Sequence, residues 1–430
     1  MMLLAAVAVL PQAQGAKPMT LDEAIAEAEK ASFAIRTAQS NLEKARLQAL
    51  EASGTLGPKV QINSSYQRYG EKPTSSFQGG STSIDSKNAS VTASLPIDLV
   101  GVLKRLKKAS LLRIDASNQT LVATKQDLRL SVRKAYIGVL RTNAFVTVAE
   151  QALVNAKERL VKAQARLKQD EIAPIDALRF ETSVRSAEGD LVVAQNTARL
   201  AQQGFNLALS RAIDTPVQIA ELDSLPNPTV TAESLVAYGQ KQRPEVKGLE
   251  QTQKVLSEIT EAQRGGLLPS VALSLSHNRY IDSVGPTGKD NSTAALISVS
   301  FPIFDSGVTK SKIRQAREDE NQVKIQLEQL RLSISQEVRA ALRSLSSARE
   351  RLETAQKQLA LAKEVLRISN VRNDAGEGTV LDVVDAQTQL TSAQNNVVSA
   401  RYDYLTSFSE LQRAIGSDDI AAANAGGEKR

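Results

Sequence analysis

The sequence predicts a mainly helical chain with transmembrane β-strands, built from two tandem copies of one structural unit. Three observations lead to this prediction. Long segments rich in Ala, Leu, Gln, Glu, Lys and Arg carry apolar residues at heptad spacing, four shorter segments alternate polar and apolar residues, and the same order of segments occurs twice. Heptad spacing is typical of coiled helices, and alternation is typical of strands.

The composition agrees with long helices better than with a compact globular core. The chain has 430 residues, of which only 3% are aromatic, with no Trp, 22 Gly and 13 Pro. Length alone favours two or three domains. The residue types that favour helices dominate the long middle segments, which indicates a less globular protein.

Charge and reactive residues exclude several functions. The net charge is +6, but basic and acidic residues alternate, so nucleic-acid binding is poorly supported. A chain without cysteine has no disulfide, thiolate metal site or cysteine nucleophile, and its single histidine, His277, cannot build a multi-histidine metal site. We therefore expect no cofactor, no metal and no catalytic site, and an enzyme is the least favoured class.

The first residues have the form of a secretory signal. Residues 1–10 are apolar, Pro11 follows, and Ala13-Gln14-Gly15 has the small-x-small pattern of a cleavage site. We predict a signal peptide over 1–15; the alternative is a short buried helix. No later segment contains eighteen consecutive apolar residues, so no helical membrane span is predicted.

Matching residues define the two copies. Pro58 and Pro269 each open an alternating segment, 211 positions apart (269 − 58). Near the ends of the copies, Arg211-Ala212-Ile213 matches Arg413-Ala414-Ile415. Other matches lie 206 positions apart (302 − 96), namely Pro96 with Pro302, Gly101 with Gly307, and Asp176 with Asp382. The predicted organisation is a first repeat over 16–214, a linker over 215–230, a second repeat over 231–416 and a disordered tail over 417–430.

Each repeat is predicted to contain a helix, two strands, a long helix and a return helix. Thr20 and Glu23 have the spacing of a capping box at the start of the first helix. The predicted strands cover about 58–69, 87–97, 269–280 and 293–303. The predicted helices cover about 20–53, 102–168, 175–213, 231–264, 308–372 and 380–415.

The four strands have the length and polarity of strands in lipid. In the first, Val60 and Ile62 alternate with Gln61 and Asn63, and each segment has about ten residues, the span of a tilted transmembrane strand. A soluble sandwich would also alternate, but it would not require this length. Four strands cannot close a barrel, and an open edge is not tolerated in hydrocarbon, so several chains must pool their strands.

The long helices carry coiled-coil seams. From Val132 to Leu167, and again from Val338 to Leu366, apolar residues follow one another at 3-4 spacing. Alanine fills many seam positions, which leaves little core volume for an isolated pair and favours close packing of further helices. An extended cylinder of helix pairs fits this pattern; the alternative, an isolated filamentous coiled coil, leaves the strands unexplained.

Two sequence features resemble the TolC-like outer-membrane efflux protein family. One is the turn from strand into helix, Pro96 to Gly101 and Pro302 to Gly307. The other is the segment from Gly376 to Ala386, Gly-Glu-Gly-Thr-Val-Leu-Asp-Val-Val-Asp-Ala, which is similar to the family's motif at the periplasmic tip. The likeness covers essentially residues 20–416.

The resemblance implies a TolC-like fold: a homotrimer with a twelve-stranded β-barrel among outer-membrane lipids and a long periplasmic α-helical barrel. It implies a passive exit duct of a tripartite efflux pump or type I secretion system in a Gram-negative outer membrane. The implied partners are a periplasmic adaptor protein and an inner-membrane transporter of the RND, ABC or MFS class. The alternatives from other classes are a periplasmic adaptor and a coiled-coil scaffold.

The resemblance also implies site residues at the periplasmic tip. Asp382 and Asp385 match its acidic constriction, and carboxylate rings around a pore favour cations; the alternative is that both simply favour a helix N-terminus. Asp176 is the first-repeat equivalent of Asp382. It is either a gate residue or only an acidic residue in the first turn of its helix. Gly378 stands where family members often place an arginine, so this chain departs from the family's pattern at the latch. The implied adaptor-docking residues are Gly376, Gly378 and Thr379; alternatively, the glycines only end one helix and cap the next.

Overall fold

The computed structural model describes residues 18–70, 84–222, 225–226, 230–281 and 289–420. The predicted signal peptide over 1–15 and residues 421–430 of the predicted tail lie outside the described residues.

The described residues form eight α-helices and four β-strands. Within these residues, no helix combines the length and the apolar character needed to cross a membrane. In chain order the elements are α1 Leu21–Ala31, α2 Phe33–Gly54, β1 Lys59–Arg68, β2 Asp85–Ile97, α3 Val102–Leu167, α4 Pro174–Ala208, α5 Ala232–Gln242, α6 Pro244–Arg264, β3 Ser270–Ile281, β4 Asn291–Ser300, α7 Val308–Asp374 and α8 Val380–Ile415.

The first helix of each repeat is broken, so the predictions of single helices over 20–53 and 231–264 are wrong. Arg243 separates α5 from α6 with an extended ψ of 134° because Pro244 follows it, and proline disfavours the helical conformation at the preceding residue. Ser32 separates α1 from α2 at the equivalent place, 211 positions earlier (243 − 32), with ψ 126°. The Ser32 hydroxyl then accepts a hydrogen bond from Ile35 N at 3.4 Å and caps α2.

Left-handed residues recur at equivalent places in the two repeats. Three pairs with positive φ lie 206 positions apart (307 − 101): Gly101 and Gly307 (80° and 83°), Asp170 and Gly376 (59° and 78°), Ser210 and Gly416 (57° and 74°). The third pair shows that the prediction of a helix over 175–213 is wrong. Helix α4 ends at Ala208 because Ser210 is left-handed, as Gly416 is after α8, so Arg211 to Ile213 lies beyond the helix.

The chain divides into two compact units. One, called the helical unit here, comprises the described residues of Met1–Thr37, Val122–Arg243 and Leu332–Arg430. The other, called the strand unit, comprises those of Ala38–Leu121 and Pro244–Arg331.

The strand unit contains one antiparallel sheet with strand order β1-β2-β3-β4. Its register aligns apolar residues of all four strands in the row Val60, Ala93, Leu275 and Ala295, whereas the next row on the same side combines Ile62 and Val91 with His277 and Thr293. Directly paired residues point to the same side of a sheet. That apolar side is open: Ile62 is 78% exposed and Ile297 is 67% exposed.

The helical unit has a core of interlocking helices. Tyr136 of α3 and Phe205 of α4 are fully buried and meet edge to face, with ring centroids 5.9 Å apart. Ala24 and Ala28 of α1 belong to the same cluster, together with Tyr402 and Leu405 of α8. The predicted heptad seams are buried as expected: Leu352 and Ala355 pack with Ala400, and Ala362 packs with Leu390 and Ala393.

The segment predicted as a linker over 215–230 packs against this core. Ile219 forms a parallel β-bridge with Met19, and Val217, Ile219 and Leu222 contact the buried cluster. The buried Asn206 amide donates hydrogen bonds to the carbonyls of Ile213 and Thr215, both at 2.8 Å, which fixes the start of the segment. The prolines of this segment suggested a linker. In the structure, its apolar residues cover part of the core.

The first residues of the predicted disordered tail are also held. The Asp418 carboxylate accepts hydrogen bonds from Arg129 and Arg133 of α3, both at 2.8 Å, and Ile420 is buried. Arg129 also donates to Glu29 of α1 at 2.7 Å. The tail prediction is therefore wrong for 417–420, because two arginines on one face of α3 bind the chain after α8.

Removing the Tyr136 hydroxyl should loosen the bridge between the chain start and the connecting segment. The hydroxyl lies 2.6 Å from Ala220 O and 3.0 Å from Met19 O, and burial raises its pKa, so it stays protonated and donates. We expect Tyr136→Phe to cost about 1 kcal/mol. Hydrogen–deuterium exchange at 18–23 and 217–222 should accelerate about fivefold.

Tyr238→Phe is the control, because the Tyr238 hydroxyl makes no hydrogen bond to the described residues. Equal exchange in both variants would contradict the role of Tyr136.

Candidate functional site: the hairpin tips

The turn between α7 and α8 requires its two glycines for different reasons. Gly376 has φ +78°, a conformation that side chains with a Cβ rarely adopt. At Gly378, a Cβ would lie 3.1 Å from both Arg372 Cβ and Asn373 N, a tight contact that the neighbouring residues could accept only by moving a few tenths of an ångström. The amides of Glu377 and Gly378 both donate to the Arg372 carbonyl, at 2.9 and 3.0 Å. The glycines therefore do end α7 and shape the turn.

Thr379 and Asp382 cap the start of α8. The Thr379 hydroxyl accepts a hydrogen bond from Asp382 N at 3.2 Å, and the Asp382 carboxylate accepts one from Thr379 N at 2.9 Å. These bonds from Thr379 lower the pKa of Asp382, and Arg372 adds a smaller effect in the same direction. Asp382 is therefore charged at neutral pH, and it has a capping role in addition to any role at a pore.

Asp382 and Asp385 lie on the exposed side of α8. Val383 and Ala386, which alternate with them, are buried. The two carboxylates thus point away from the chain's own core, an arrangement that leaves them available to solvent or to another copy of the chain.

Asp176 occupies a different environment from Asp382. Both are the third residue of their helix, but Ala173 precedes α4 and provides no side-chain cap. The Asp176 carboxylate instead lies 3.7 Å from the Arg179 guanidinium. No hydrogen bond or ion pair within the described residues joins Asp176 to Asp382 or Asp385. Arg179 stands where the second repeat has Asp385 (385 − 179 = 206), so the repeats differ in charge at this level.

Helices α3 and α4 form one hairpin and α7 and α8 form the other, and residues close to their two turns, the hairpin tips, contact each other. Ala163 of α3, Phe180 of α4 and Val380 of α8 form a small buried cluster. Arg166 of α3 donates to the Asn373 side-chain oxygen at 3.4 Å, and Asn373 donates to Gly378 O at 3.3 Å. Sequence reasoning missed Arg166 and Asn373, because no local pattern shows that residues 207 positions apart will meet.

The strand-to-helix turns lie in the strand unit, apart from the tip residues in the sequence. Gly101 and Gly307 have the positive φ that these turns require. Pro96 is the penultimate residue of β2. It lies beyond Ser94, where the pairing with β1 ends, and it is still opposite Ala272 of β3; Pro302 follows the end of β4.

Sequence reasoning also missed the aspartates of these turns. Asp98 accepts hydrogen bonds from the amides of Leu103 and Lys104, and Asp305 accepts one from Thr309 N at 2.7 Å. Both aspartates thereby cap the helix that follows. Their position shortly after Pro96 and Pro302 was the available signal.

Comparisons with known proteins match most of both repeats. A sequence model of the family described as outer membrane efflux protein matches residues 24–211 and 239–417, that is, one segment in each repeat. The outer membrane efflux protein BepC of Brucella suis biovar 1 is 24% identical over 306 residues, which cover 71% of this chain and 66% of BepC. The match thus spans slightly less than two thirds of that relative.

Two further comparisons agree. The outer membrane protein TolC of Vibrio cholerae serotype O1 is 26% identical over 319 residues, covering 71% of this chain and 72% of that protein. A structure of CusC, solved to describe conformational changes during folding and transmembrane channel formation, superposes with a TM-score of 0.80 at 19% identity and covers 92% of each chain. At this identity the superposition shows a shared fold.

Removing the Thr379 hydroxyl should fray the start of α8. We expect Thr379→Ala to cost about 1 kcal/mol of local stability and to accelerate hydrogen–deuterium exchange at 380–383. Thr388→Ala is the control, since Thr388 is exposed on the same helix and only donates to Val384 O. Faster exchange in the control than in Thr379→Ala would refute the cap.

The cap should also depend on pH in one direction. The folded pKa of Asp382 is lowered below its ordinary 3.8, so the carboxylate's contribution is present at neutral pH and is lost as pH falls through the lowered value. Protection of 380–383, corrected for intrinsic exchange, should therefore persist at pH 5 and decline only in strong acid. A decline already complete near about pH 5 would contradict the lowered pKa.

Proposed function

Because the chain belongs to the outer membrane efflux protein family, we propose that it is one of three identical subunits of a passive exit duct. Family membership confirms the resemblance read from the sequence, the mainly helical fold with tandem repeats, and location in the outer membrane of a Gram-negative cell. The family consists of channel proteins rather than enzymes.

The observation that carries the proposal is the open sheet of the strand unit. Its apolar side is exposed, and β1 and β4 each pair along one edge only. In lipid the apolar side is favourable, but unpaired backbone groups are costly, so edges must be joined to other copies. Three copies of four strands would complete a twelve-stranded wall. A periplasmic adaptor or a coiled-coil scaffold would leave this apolar side in water, which makes both alternatives less well supported.

The tips support the second part of the proposal, a constriction at the periplasmic end. Each copy would contribute Asp382 and Asp385, whose carboxylates are exposed and which lie on one side of α8. Three copies would place two rings of carboxylate groups around the axis, and such rings attract cations. Asp176 contributes less in this proposal, because Arg179 offsets its charge.

The same tips are the proposed docking point for a periplasmic adaptor. Gly376, Gly378 and Thr379 form the turn at the end of the second hairpin. Gly376 and Thr379 are exposed there, and a glycine without a side chain allows a partner's backbone to approach closely. The adaptor in turn would connect the duct to an inner-membrane transporter of the RND, ABC or MFS class, which supplies the energy for export.

Neutralising the acidic pair should weaken block of the channel by divalent cations. We expect Asp382→Asn with Asp385→Asn, reconstituted in planar bilayers, to require several-fold more Mg²⁺ for half block than the unchanged protein, because the cation loses its carboxylate partners. Asparagine retains the capping acceptor, so the change tests charge and not the helix start.

Asp319→Asn is the matched control, because Asp319 is an exposed carboxylate on a different helix, α7. Channels with unchanged Mg²⁺ block in the double variant, or with the same shift in the control, would remove the constriction from the proposal. Protein that forms no channels at all would reject the exit duct itself.

A further inference from the structure

A groove lies between the two hairpin tips within the helical unit. Its volume is about 660 Å³, within the range of small-molecule sites. One wall is a stripe of α3 at helical spacing, with Asn155, Arg159, Lys162 and Arg166. The facing wall is a stripe of α7 with Leu366, Asn370 and Asn373, and Phe180, Val380 and Val383 form an apolar floor.

Arg159 is the unusual residue of this groove. Its side chain is half-buried, and burial lowers the pKa of its guanidinium. Within the part of the chain that the structure describes, this guanidinium forms no hydrogen bond or ion pair, and Glu158 acts on it only through space. Arg166, by contrast, is 3.3 Å from the Glu171 carboxylate. A half-buried cation without a bound anion is unfavourable, and an anionic ligand would relieve this.

The acids around the groove do not satisfy Arg159. Glu158 and Asp374 line the groove, and both side chains are exposed. Lys162 lies almost one turn from Arg159 on the same side of α3 and is also exposed. Arg159 and Lys162 therefore present two positive charges next to an apolar floor.

The second repeat shows that the helix itself does not require these cations. At the positions 206 residues later (365 − 159), Arg159 corresponds to Val365 and Lys162 corresponds to Ile368. The long helix therefore folds with apolar residues at these places. The basic residues are particular to the first repeat, where they face the groove.

We propose that this groove binds an amphipathic anion, a carboxylate attached to an apolar ring or short chain. The carboxylate would bind at Arg159 and Lys162, with the asparagine amides as further donors, while the apolar part would lie on Phe180 and Val380. This site is separate from the acidic pair of α8 and does not depend on the channel function. An acidic segment of a partner protein is the competing occupant, but an apolar floor in a groove of this volume favours the small molecule.

The probe is 4-(trifluoromethyl)benzoate, followed by fluorine NMR with the full chain in lipid nanodiscs. Its neutral amide is the ligand control. We expect Arg159→Gln to weaken benzoate binding about tenfold, the scale of one lost charge-assisted hydrogen bond, and to leave amide binding unchanged. Lys162→Gln, at an exposed position that puts folding at little risk, should weaken benzoate binding several-fold. Lys157→Gln, on α3 but outside the groove lining, should have no effect.

Three outcomes would overturn the proposal. They are no benzoate binding by the unchanged protein, equal binding of benzoate and amide, or benzoate binding that survives both Arg159→Gln and Lys162→Gln. Binding of an acidic peptide without binding of benzoate would assign the groove to a protein partner instead. The conductance of the same preparations in bilayers reports separately on the exit duct, so failure here leaves that proposal standing.

Discussion

In the four-stranded sheet, β1 and β4 each pair with a neighbour on one side only, so a row of backbone N–H and C=O groups points outward at both edges. One side of the same sheet carries rows of apolar residues from all four strands, and members of these rows such as Val60 and Ile297 are exposed. In hydrocarbon the apolar side is stable and the edges are not, whereas in water the reverse holds. A ring of copies satisfies both requirements, and the proposed trimer, its acidic rings and its docking tips all depend on that closure.

The duplication shows which features the architecture needs and which are particular to one repeat. Left-handed residues at the ends of the helices recur in both copies, although two of the three first-repeat positions are not glycine. The tips have diverged: Thr379 and Asp382 form a capping box on α8, whereas α4 starts after Ala173 and pairs Asp176 with Arg179. The shared backbone does not require these differences, which occur at the tips and in the groove beside Arg159.

Much of the fold could be predicted from periodicity, because strand alternation and heptads report local geometry directly. The four strands, the long helices and the glycine turns follow from such patterns. The break before Pro244 had a local signal, whereas the equivalent break at Ser32 had none as strong. The packed connector, Asp418 on Arg129 and Arg133, and Arg166 on Asn373 could not be predicted, because each joins residues far apart in the sequence. Of the candidate site, Thr379 and Asp382 were found through their motif, and Arg159 was recognisable only once its surroundings were known.

Cross-linking between copies tests the closure of the sheet most directly, and the natural absence of cysteine makes it unambiguous. Cysteine pairs, one in Lys59–Arg68 of β1 and one in Asn291–Ser300 of β4, would be scanned in outer-membrane preparations under oxidising conditions. Residues directly opposite in antiparallel strands are close enough for a disulfide. Our account predicts that pairs in register give a covalent species of three chains, and that single cysteines do not. A scan in which every cysteine pair gives single, uncross-linked chains would contradict it.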